Sequence, residues 1–550
     1  MESSLGDPIG VVKFAISNIY ILLPSSRSGL INLDITADQM EAYFQYQRVR
    51  QAVRHSLSER ENGSLEKQSS APENPSTSGN DIILVGWDGP DDPLNPRNKS
   101  VLQKLCMTWF VSLIGVAVTA ASAIDACGLT VYSDYFGVSE VVGSLATGLF
   151  LIGFACGSLL SGPFSETFGR NAIYSTTTLF YLVWIMAAGL APNIQSHLIF
   201  RFLAGFFAST PLTCAGGTVA DLWDPVQKAY AFPAYAVPSF TGPVLGQVIG
   251  SYIPSTLGWR WLEWIMLIMG GAVLIVVVLL QPETYGNLIL YWKAKTLRQE
   301  TGNQRYKAPM ELKHDGLAKR LQTSVYRPFA MFYSELIIIL MSLYLTIIYL
   351  ILFTFLEGYT FIFGEIYGLS QPLTSICWCG MLAGILLTAV IVPVVYSWTA
   401  KEYKKTGRIA PETRLWYAML GGAPAVPISL FWMGWTAYSH ISIWSPLIAT
   451  AVFGYGMTAI FIVAYMYLID SYDIYSASAL GFLVFTRYVV AGGMTVAGGP
   501  IYRSIGVHYT LTIMGALSAA MTPVPYLFYV YGPSIRKKSK YAVDVDKSDE

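Results

Sequence analysis

Charge is scarce in this chain. Only 13% of its 550 residues are Asp, Glu, Lys or Arg, and the two signs balance at 35 each. Such a chain offers no electrostatic ground for binding nucleic acid or an acidic partner. Cysteine is scarce too: the six (Cys106, Cys127, Cys156, Cys214, Cys377, Cys379) lie in or beside apolar runs. Cys377 and Cys379 stand two apart on one helical stretch and point in different directions, which suits neither a zinc site nor a disulfide framework. The five histidines are scattered without ligand spacing. Missing altogether are Gly-x-x-x-x-Gly-Lys-Ser/Thr, His-Glu-x-x-His and Gly-x-Ser-x-Gly. Without the first, ATP does not drive work through this chain alone; without the others, hydrolase chemistry has no starting point. No enzyme activity, cofactor or metal is expected.

What abounds is apolar. Hydrophobic residues make up 53% and the mean hydropathy is +0.46, the profile of a polytopic membrane protein. Apolar runs lie at about 105–124, 141–160, 172–191, 198–219, 229–253 and 262–280. Six more follow at about 336–356, 373–396, 415–438, 443–469, 474–500 and 507–530. At 1.5 Å per residue, about 20 residues cross a hydrocarbon core of about 30 Å. The expected fold is all-α and membrane-embedded, with twelve transmembrane helices in two six-helix bundles. The expected units are a largely disordered tail (1–100), a first bundle (101–280), a central loop (281–335), a second bundle (336–531) and a C-tail (532–550). Within the tail, Val11–Leu23 is apolar but too short to span and reads as an interfacial helix or as a poorly ordered stretch. Residues 57–80, rich in Ser, Pro, Asn, Gly and Glu, read as disordered.

Lys and Arg fix the expected orientation. If the tail is inside, Arg97, Lys99, Lys104, Arg170 and Lys228 lie next to helices on that side. Nine more lie in the central loop, five in 401–414 and five in the C-tail, whereas the outer loops hold only Arg260 and Arg503. The positive-inside rule then makes both termini cytoplasmic.

Between the second and third runs lies Gly162-Pro163-Phe164-Ser165-Glu166-Thr167-Phe168-Gly169-Arg170-Asn171. It resembles the loop signature between helices two and three of the major facilitator superfamily, Gly-x-x-x-Asp/Glu-Arg/Lys-x-Gly-Arg/Lys-Arg/Lys. Gly162, Glu166, Gly169 and Arg170 match; Thr167 and Asn171 replace basic positions. In helix 5, Gly242-Pro243-Val244-Leu245-Gly246-Gln247-Val248-Ile249-Gly250-Ser251 puts glycines four apart on one stripe, where another helix can approach closely. That run resembles the antiporter branch's Gly-Pro-x-x-Gly-Pro-x-x-Gly-Gly, with Gln247 and Ser251 at two departures. Asp92-Pro93-Leu94-Asn95-Pro96-Arg97-Asn98, Pro282-Glu283-Thr284-Tyr285 and Pro411-Glu412-Thr413-Arg414-Leu415 are similar to tags of the fungal twelve-helix drug:proton antiporters. The resemblance spans about 88–541. It implies a central cavity, alternating access by rocking halves, and proton-driven efflux of small amphipathic molecules such as drugs or secondary metabolites. Polyamines or other cations are the alternative cargo. A non-transporting solute sensor on the same scaffold would be expected to carry a long signalling tail.

Intramembrane charges are the next candidates, because each is costly there. Arg201 lies about one turn in from the outer end of helix 4, shallow enough to snorkel; it also matches the family's helix-4 arginine, which the resemblance ties to proton coupling. Arg487 lies about thirteen residues, roughly 20 Å, along helix 11, and reads as cavity-lining or buried in a structural pair. Asp125 ends helix 1, and Glu357, flanked by apolar runs, is the preferred proton carrier. Glu335 and Asp470 read as solvated caps at inner ends. Tyr235, Phe240, Tyr344, Tyr349, Trp378 and Tyr465 are candidates to line an apolar cavity, and Trp259, Trp261 and Tyr531 suit interfacial belts. Gly153 and Gly157 read as helix packing. The expected partners are a small-molecule substrate, protons and the bilayer. A monomer is expected in the cell membrane, with the vacuolar membrane as the alternative.

Overall fold

The computed structural model describes residues 41–67, 82–312, 317–472 and 475–542. The Val11–Leu23 run and residues 68–80 lie outside these.

Twelve long helices follow one another: α1 (Val101–Ile124), α2 (Glu140–Phe168), α3 (Arg170–Gly189), α4 (Ile194–Leu222), α5 (Lys228–Gly250) and α6 (Arg260–Leu280), then α7 (Leu336–Ile366), α8 (Gln371–Thr406), α9 (Pro411–Thr436), α10 (Trp444–Tyr472), α11 (Ser476–Ile505) and α12 (Val507–Arg536). Among the described residues, eleven helices are long and apolar enough to cross a membrane. The other, α5, has the length (23 residues) but carries three prolines and a face of Gly, Ser and Gln. Ser100 starts α1 with a capping box, exchanging bonds with Gln103. The α4 helix breaks at Ser209, just before Pro211.

In the first half, α1 packs on α5 and α6, and α4 lies against α2 and α3. In the second, α10 lies against α8 and α9, and α9 against α12. The halves meet along α2–α11 and α5–α8. Small residues permit the closest approaches. A Cβ on Gly153 or Gly157 would overlap a backbone carbonyl of α4, and one on Gly384 would overlap the Ala451 carbonyl of α10. At the α2–α11 crossing, Gly148 and Gly492 face each other; a Cβ on either would stand 2.9 or 2.7 Å from the other's carbonyl oxygen. The α10 helix is largely enclosed, with 72% of its most apolar stretch buried, against 33% in α6, α8 and α12. Those three carry exposed apolar residues such as Ile268, Ile275, Leu387, Val390 and Val530, as lipid contact requires.

The tail departs from expectation. Glu41–Lys67 is a helix, so residues 57–67 of the stretch read as disordered are helical. Its Tyr46 and Val49 bury against Ile289 and Trp292 of the Gly286–Thr301 helix. Ile83–Leu84 pairs in parallel with Tyr306–Lys307. The partner surface is made from the central loop, more than 200 residues away in sequence, so local composition gave no sign of it.

Candidate functional site

The two halves enclose a central cavity of about 570 Å³. Its wall is largely aromatic and aliphatic, with Ser122, Ser239, Gln247 and Glu357 as polar points. Of the six aromatic candidates, Tyr235, Phe240, Tyr349 and Trp378 line it. Tyr344 and Tyr465 do not: Tyr344 is buried in the α7 packing, and Tyr465 stands behind the wall, bonded to Arg487. The cavity extends to Glu140, Glu365 and Arg503, at the ends of α2, α7 and α11 remote from the chain termini.

The terminal side is closed by polar contacts between the halves. Asp470 at the end of α10 accepts from Arg414 Nε at 2.6 Å and from Lys228 Nζ, across the interface, at 3.3 Å. Arg414 Nη2 also donates to the Pro225 carbonyl (2.6 Å), and Tyr417 Oη to the Ala229 carbonyl (2.6 Å). Asp470 is thus a shared, half-buried acceptor rather than a solvated cap. Glu335 is not a solvated cap either: it is buried and accepts from Tyr472 Oη (3.1 Å) and from the Lys540 and Tyr541 amides, pinning the segment after α12.

The Gly162–Asn171 loop is a second terminal-side cluster. Gly162 lies against Ala477 of α11, with 3.3 Å from a Cβ built there to the Ala477 oxygen. Gly169 has φ +95°, which glycine adopts freely, and this turns the chain sharply into α3. Arg170 is buried, donates through Nε to Asp221 Oδ2 (3.1 Å) and through Nη1 to Ser165 Oγ, and stacks over Tyr285. Glu166 is half-buried and adds to the negative field around Arg170. The start of α3 is capped from outside its own sequence: the Glu283 carboxylate accepts the amides of Arg170 (2.9 Å) and Asn171 (3.2 Å), as well as those of Thr284 and Tyr285. A carboxylate at a helix N-terminus meets both free amides and the helix dipole. Burial pushes the Glu283 carboxyl up from its ordinary range, and these four amides pull it back. Gln45 of the tail helix exchanges two bonds with the Glu283 backbone (3.0 and 2.7 Å). The second half repeats the plan, pairing Arg414 at the start of α9 with Asp470 at the end of α10, where the first half pairs Arg170 at the start of α3 with Asp221 at the end of α4. In the second tag, Glu412 binds Arg536 Nη1 at 2.7 Å.

Arg201 does not snorkel. It is fully buried, with Nε 2.7 Å from Asp125 Oδ2, Nη1 3.6 Å from Glu263 Oε2 and Nη2 donating to the Ala121 carbonyl (2.8 Å). His197 Nε2 stands 3.8 Å from Asp125 Oδ2. Trp259 is buried here, its ring 5.4 Å from His197, rather than in an interfacial belt; Trp261 and Tyr531 are exposed. One guanidinium facing two buried carboxylates leaves one negative charge, which a proton on a carboxylate or on His197 removes. Glu263 and His197 were not singled out in the sequence: Glu263 sits just inside Trp259-Arg260-Trp261, which reads as a helix mouth. The cluster is one helix away from the cavity, because Thr119, Ser122, Ala123 and Ala126 of the Asp125 segment line the wall.

Glu357 lines the cavity, half-buried, with no ion-pair partner among the described residues. The glycines of α5 face α1: a Cβ on Gly242 would meet the Val116 oxygen (2.7 Å), one on Gly246 would overlap the Ala120 carbonyl, and one on Gly250 would meet Ile124 (2.7 Å). Pro243, between them, lines the cavity. Arg487 is fully buried in α11 amid the rings of Tyr349, Phe461, Tyr465 and Tyr488.

Two packed helical halves with a cavity between them, shut on one side, define a membrane carrier. The family model of the Major Facilitator Superfamily matches residues 105–495, and the chain belongs to that superfamily. It is 46% identical over 466 residues to the MFS-type transporter kojT of Aspergillus flavus, covering 84% of this chain and 82% of that relative. It is 35% identical over 469 residues to the Ascochitine biosynthesis cluster MFS transporter of Didymella fabae (84% and 90% covered). Identity is 34% over 466 residues with the Citrinin biosynthesis cluster MFS transporter mrr1 of Monascus ruber (84% and 93% covered). The fold is similar to that of the proton:xylose symporter XylE, with TM-score 0.57 at 13% identity over 79% of this chain and 96% of that one.

Proposed function

We propose that this protein is a proton-coupled exporter of small amphipathic molecules, secondary metabolites foremost, working by alternating access. The observation that carries the reading is the cavity of about 570 Å³ between the halves, reaching the far side and sealed on the terminal side by Asp470, Arg414 and Lys228. Its aromatic and aliphatic wall suits an amphipathic cargo, and the names of the relatives from metabolite biosynthesis clusters support that class. The Asp125–His197–Arg201–Glu263 cluster is the proton site. Protonation there relaxes the pull of Arg201 on Asp125 and so loosens α1, whose other face is cavity wall. Glu357, lining the cavity directly, is the second proton-binding group. The concentration of basic residues on the terminal side supports a cytoplasmic position for that side, and the protein acts as a monomer in the plasma membrane.

The test is flux in proteoliposomes with and without a pH gradient. Uphill movement of an amphipathic substrate that collapses when the gradient is dissipated is the expected result. Flux indifferent to the gradient would remove proton coupling. Reactivity from outside at a tag in the central loop of intact cells would reverse the orientation.

A further inference from the structure

Five arginines are buried among the described residues: Arg170, Arg201, Arg414, Arg487 and Arg536. Four of them hold a carboxylate, namely Asp221, Asp125, Asp470 and Glu412. Arg487 holds none. Its Nη2 donates to Tyr465 Oη at 2.7 Å, while Nε and Nη1 have no hydrogen-bond partner. Around it the ring centres of Tyr349, Phe461, Tyr465 and Tyr488 stand at 4.5, 5.2, 5.1 and 5.1 Å. Such a cage attracts a cation, but it supplies no acceptor for the two remaining donor groups and recovers only part of the hydration a guanidinium loses on burial.

Three of those four rings, Tyr349, Phe461 and Tyr488, are also cavity wall. Side chains that turn about their χ angles therefore stand between the unanswered guanidinium and the cavity. The carboxylates that reach the cavity lie toward its far side: Glu357 and Glu365 near the end of α7, and Glu140 at the start of α2, paired with Arg503 at 3.2 Å. The mouth thus carries three carboxylates against the one cation Arg503, while Arg487 stands behind the aromatic wall.

We propose that the cargo of this cavity is an amphipathic organic acid, and that Arg487 is the counter-ion for its carboxylate or similarly compact oxyanion. The acid enters between Tyr349 and Tyr488 as these rings swing aside. One of the two free donors of Arg487, Nε or Nη1, then bonds one of its oxygens and the adjoining Nη2 reaches the other, in the fork geometry that a guanidinium offers and an ammonium does not, while the apolar body rests on Phe240 and Trp378. This rests on the cavity's being the transport site, and it turns the cargo away from polyamines, which the same cation would repel.

The experiment uses full-length protein in nanodiscs and three fluorescent probes on one skeleton: dansylglycine (anionic), dansylglycinamide (neutral) and N-dansylethylenediamine (cationic). The acid is expected to bind at least tenfold more tightly than the amide, and the cation more weakly than either. In Arg487→Gln the preference for acid over amide should fall below about twofold with amide affinity kept, and Arg487→Lys should lie between. Tyr465→Phe, which removes the one hydroxyl bonded to Arg487, should keep or sharpen the preference; it carries the test if Arg487→Gln fails to fold. Equal binding of acid and amide by the wild type, tighter binding of the cation, or binding of none overturns the proposal, as does an acid preference that survives in a folded Arg487→Gln. Flux of the same probes separates the two readings. Transport of any probe without acid preference removes this inference alone; selective binding of the acid without flux of any probe removes the transport reading and leaves the anion site.

Discussion

Replacing Lys228 by Gln removes an ion pair that exists only while the terminal side is closed. The Lys228 side chain is 13% exposed and that of Asp470 12%, with Nζ and Oδ1 3.3 Å apart. A hydrogen bond to a charged group contributes about 1.5–3 kcal/mol. The 3.3 Å separation puts this one at the weak end, and Asp470 keeps Arg414 at 2.6 Å, so no carboxylate is stranded. The closed state should lose about 1–1.5 kcal/mol, which multiplies the population open on the terminal side about tenfold. Spin labels at cysteines introduced at Asp224 and Lys405, exposed positions in opposite halves, report the separation once the exposed Cys106 and Cys379 are replaced by serine. The long-distance fraction should rise about tenfold in Lys228→Gln. It should rise no further when Lys228→Gln is added to Asp470→Asn, because the partner is already gone. An unchanged distance distribution, or a full effect of Lys228→Gln in the Asp470→Asn background, would refute the account.

Glu263→Gln removes the surplus negative charge beside Arg201 and should flatten the pH dependence of proton-linked flux while counterflow of substrate persists; a wild-type pH profile would take Glu263 out of coupling. Gly246→Leu drives a side chain into the Ala120 carbonyl and should cost about 1–3 kcal/mol of stability, read as a lower melting temperature in detergent, whereas Gly271→Leu, where a Cβ meets open space, should be close to silent. Arg170→Ala strands Asp221 and should cost about 3–5 kcal/mol, much of it recovered in Arg170→Ala/Asp221→Asn; no recovery would mean the two do not act as a pair. Gln45→Ala removes both tail bonds to the Glu283 backbone and should raise amide exchange at 283–285, which unchanged protection would contradict.

Much of the membrane framework could be read along the chain because hydrocarbon imposes a length and a composition on whatever crosses it. The run at 198–219 reads out as Ile194–Leu222, and the glycines of α5 announce a close neighbour without saying which. What escaped was long-range. Glu263 looks like a residue at a helix mouth until α6 packs on α1 and α3 and brings it to Arg201. Asp470 and Glu335 stand at helix ends, where water is the default partner, and only the fold brings Arg414, Lys228 and the segment after α12 onto them. Tyr46 and Val49 lie in a polar stretch whose partner, Ile289 and Trp292, arises only when the central loop is in place. Charges and short apolar faces draw their meaning from what faces them, and that information is not local.

The meeting of Gly148 with Gly492 bears on speed. Where helices interlock through side chains, each degree of relative rotation makes ridges climb out of grooves, and the path between two orientations becomes rough. At the α2–α11 crossing Gly148 and Gly492 meet backbone to backbone, flanked by the side chains of Ile152, Thr495 and Val496. The two glycines thus act as a bearing between halves otherwise joined by the Phe154–Tyr488 ring contact, the Ser158 Oγ bond to the Gly481 carbonyl and the polar contacts of the terminal side. On the proposed alternating-access reading, a single methyl group added at the bearing, as in Gly492→Ala, should slow every cycle whatever the cargo.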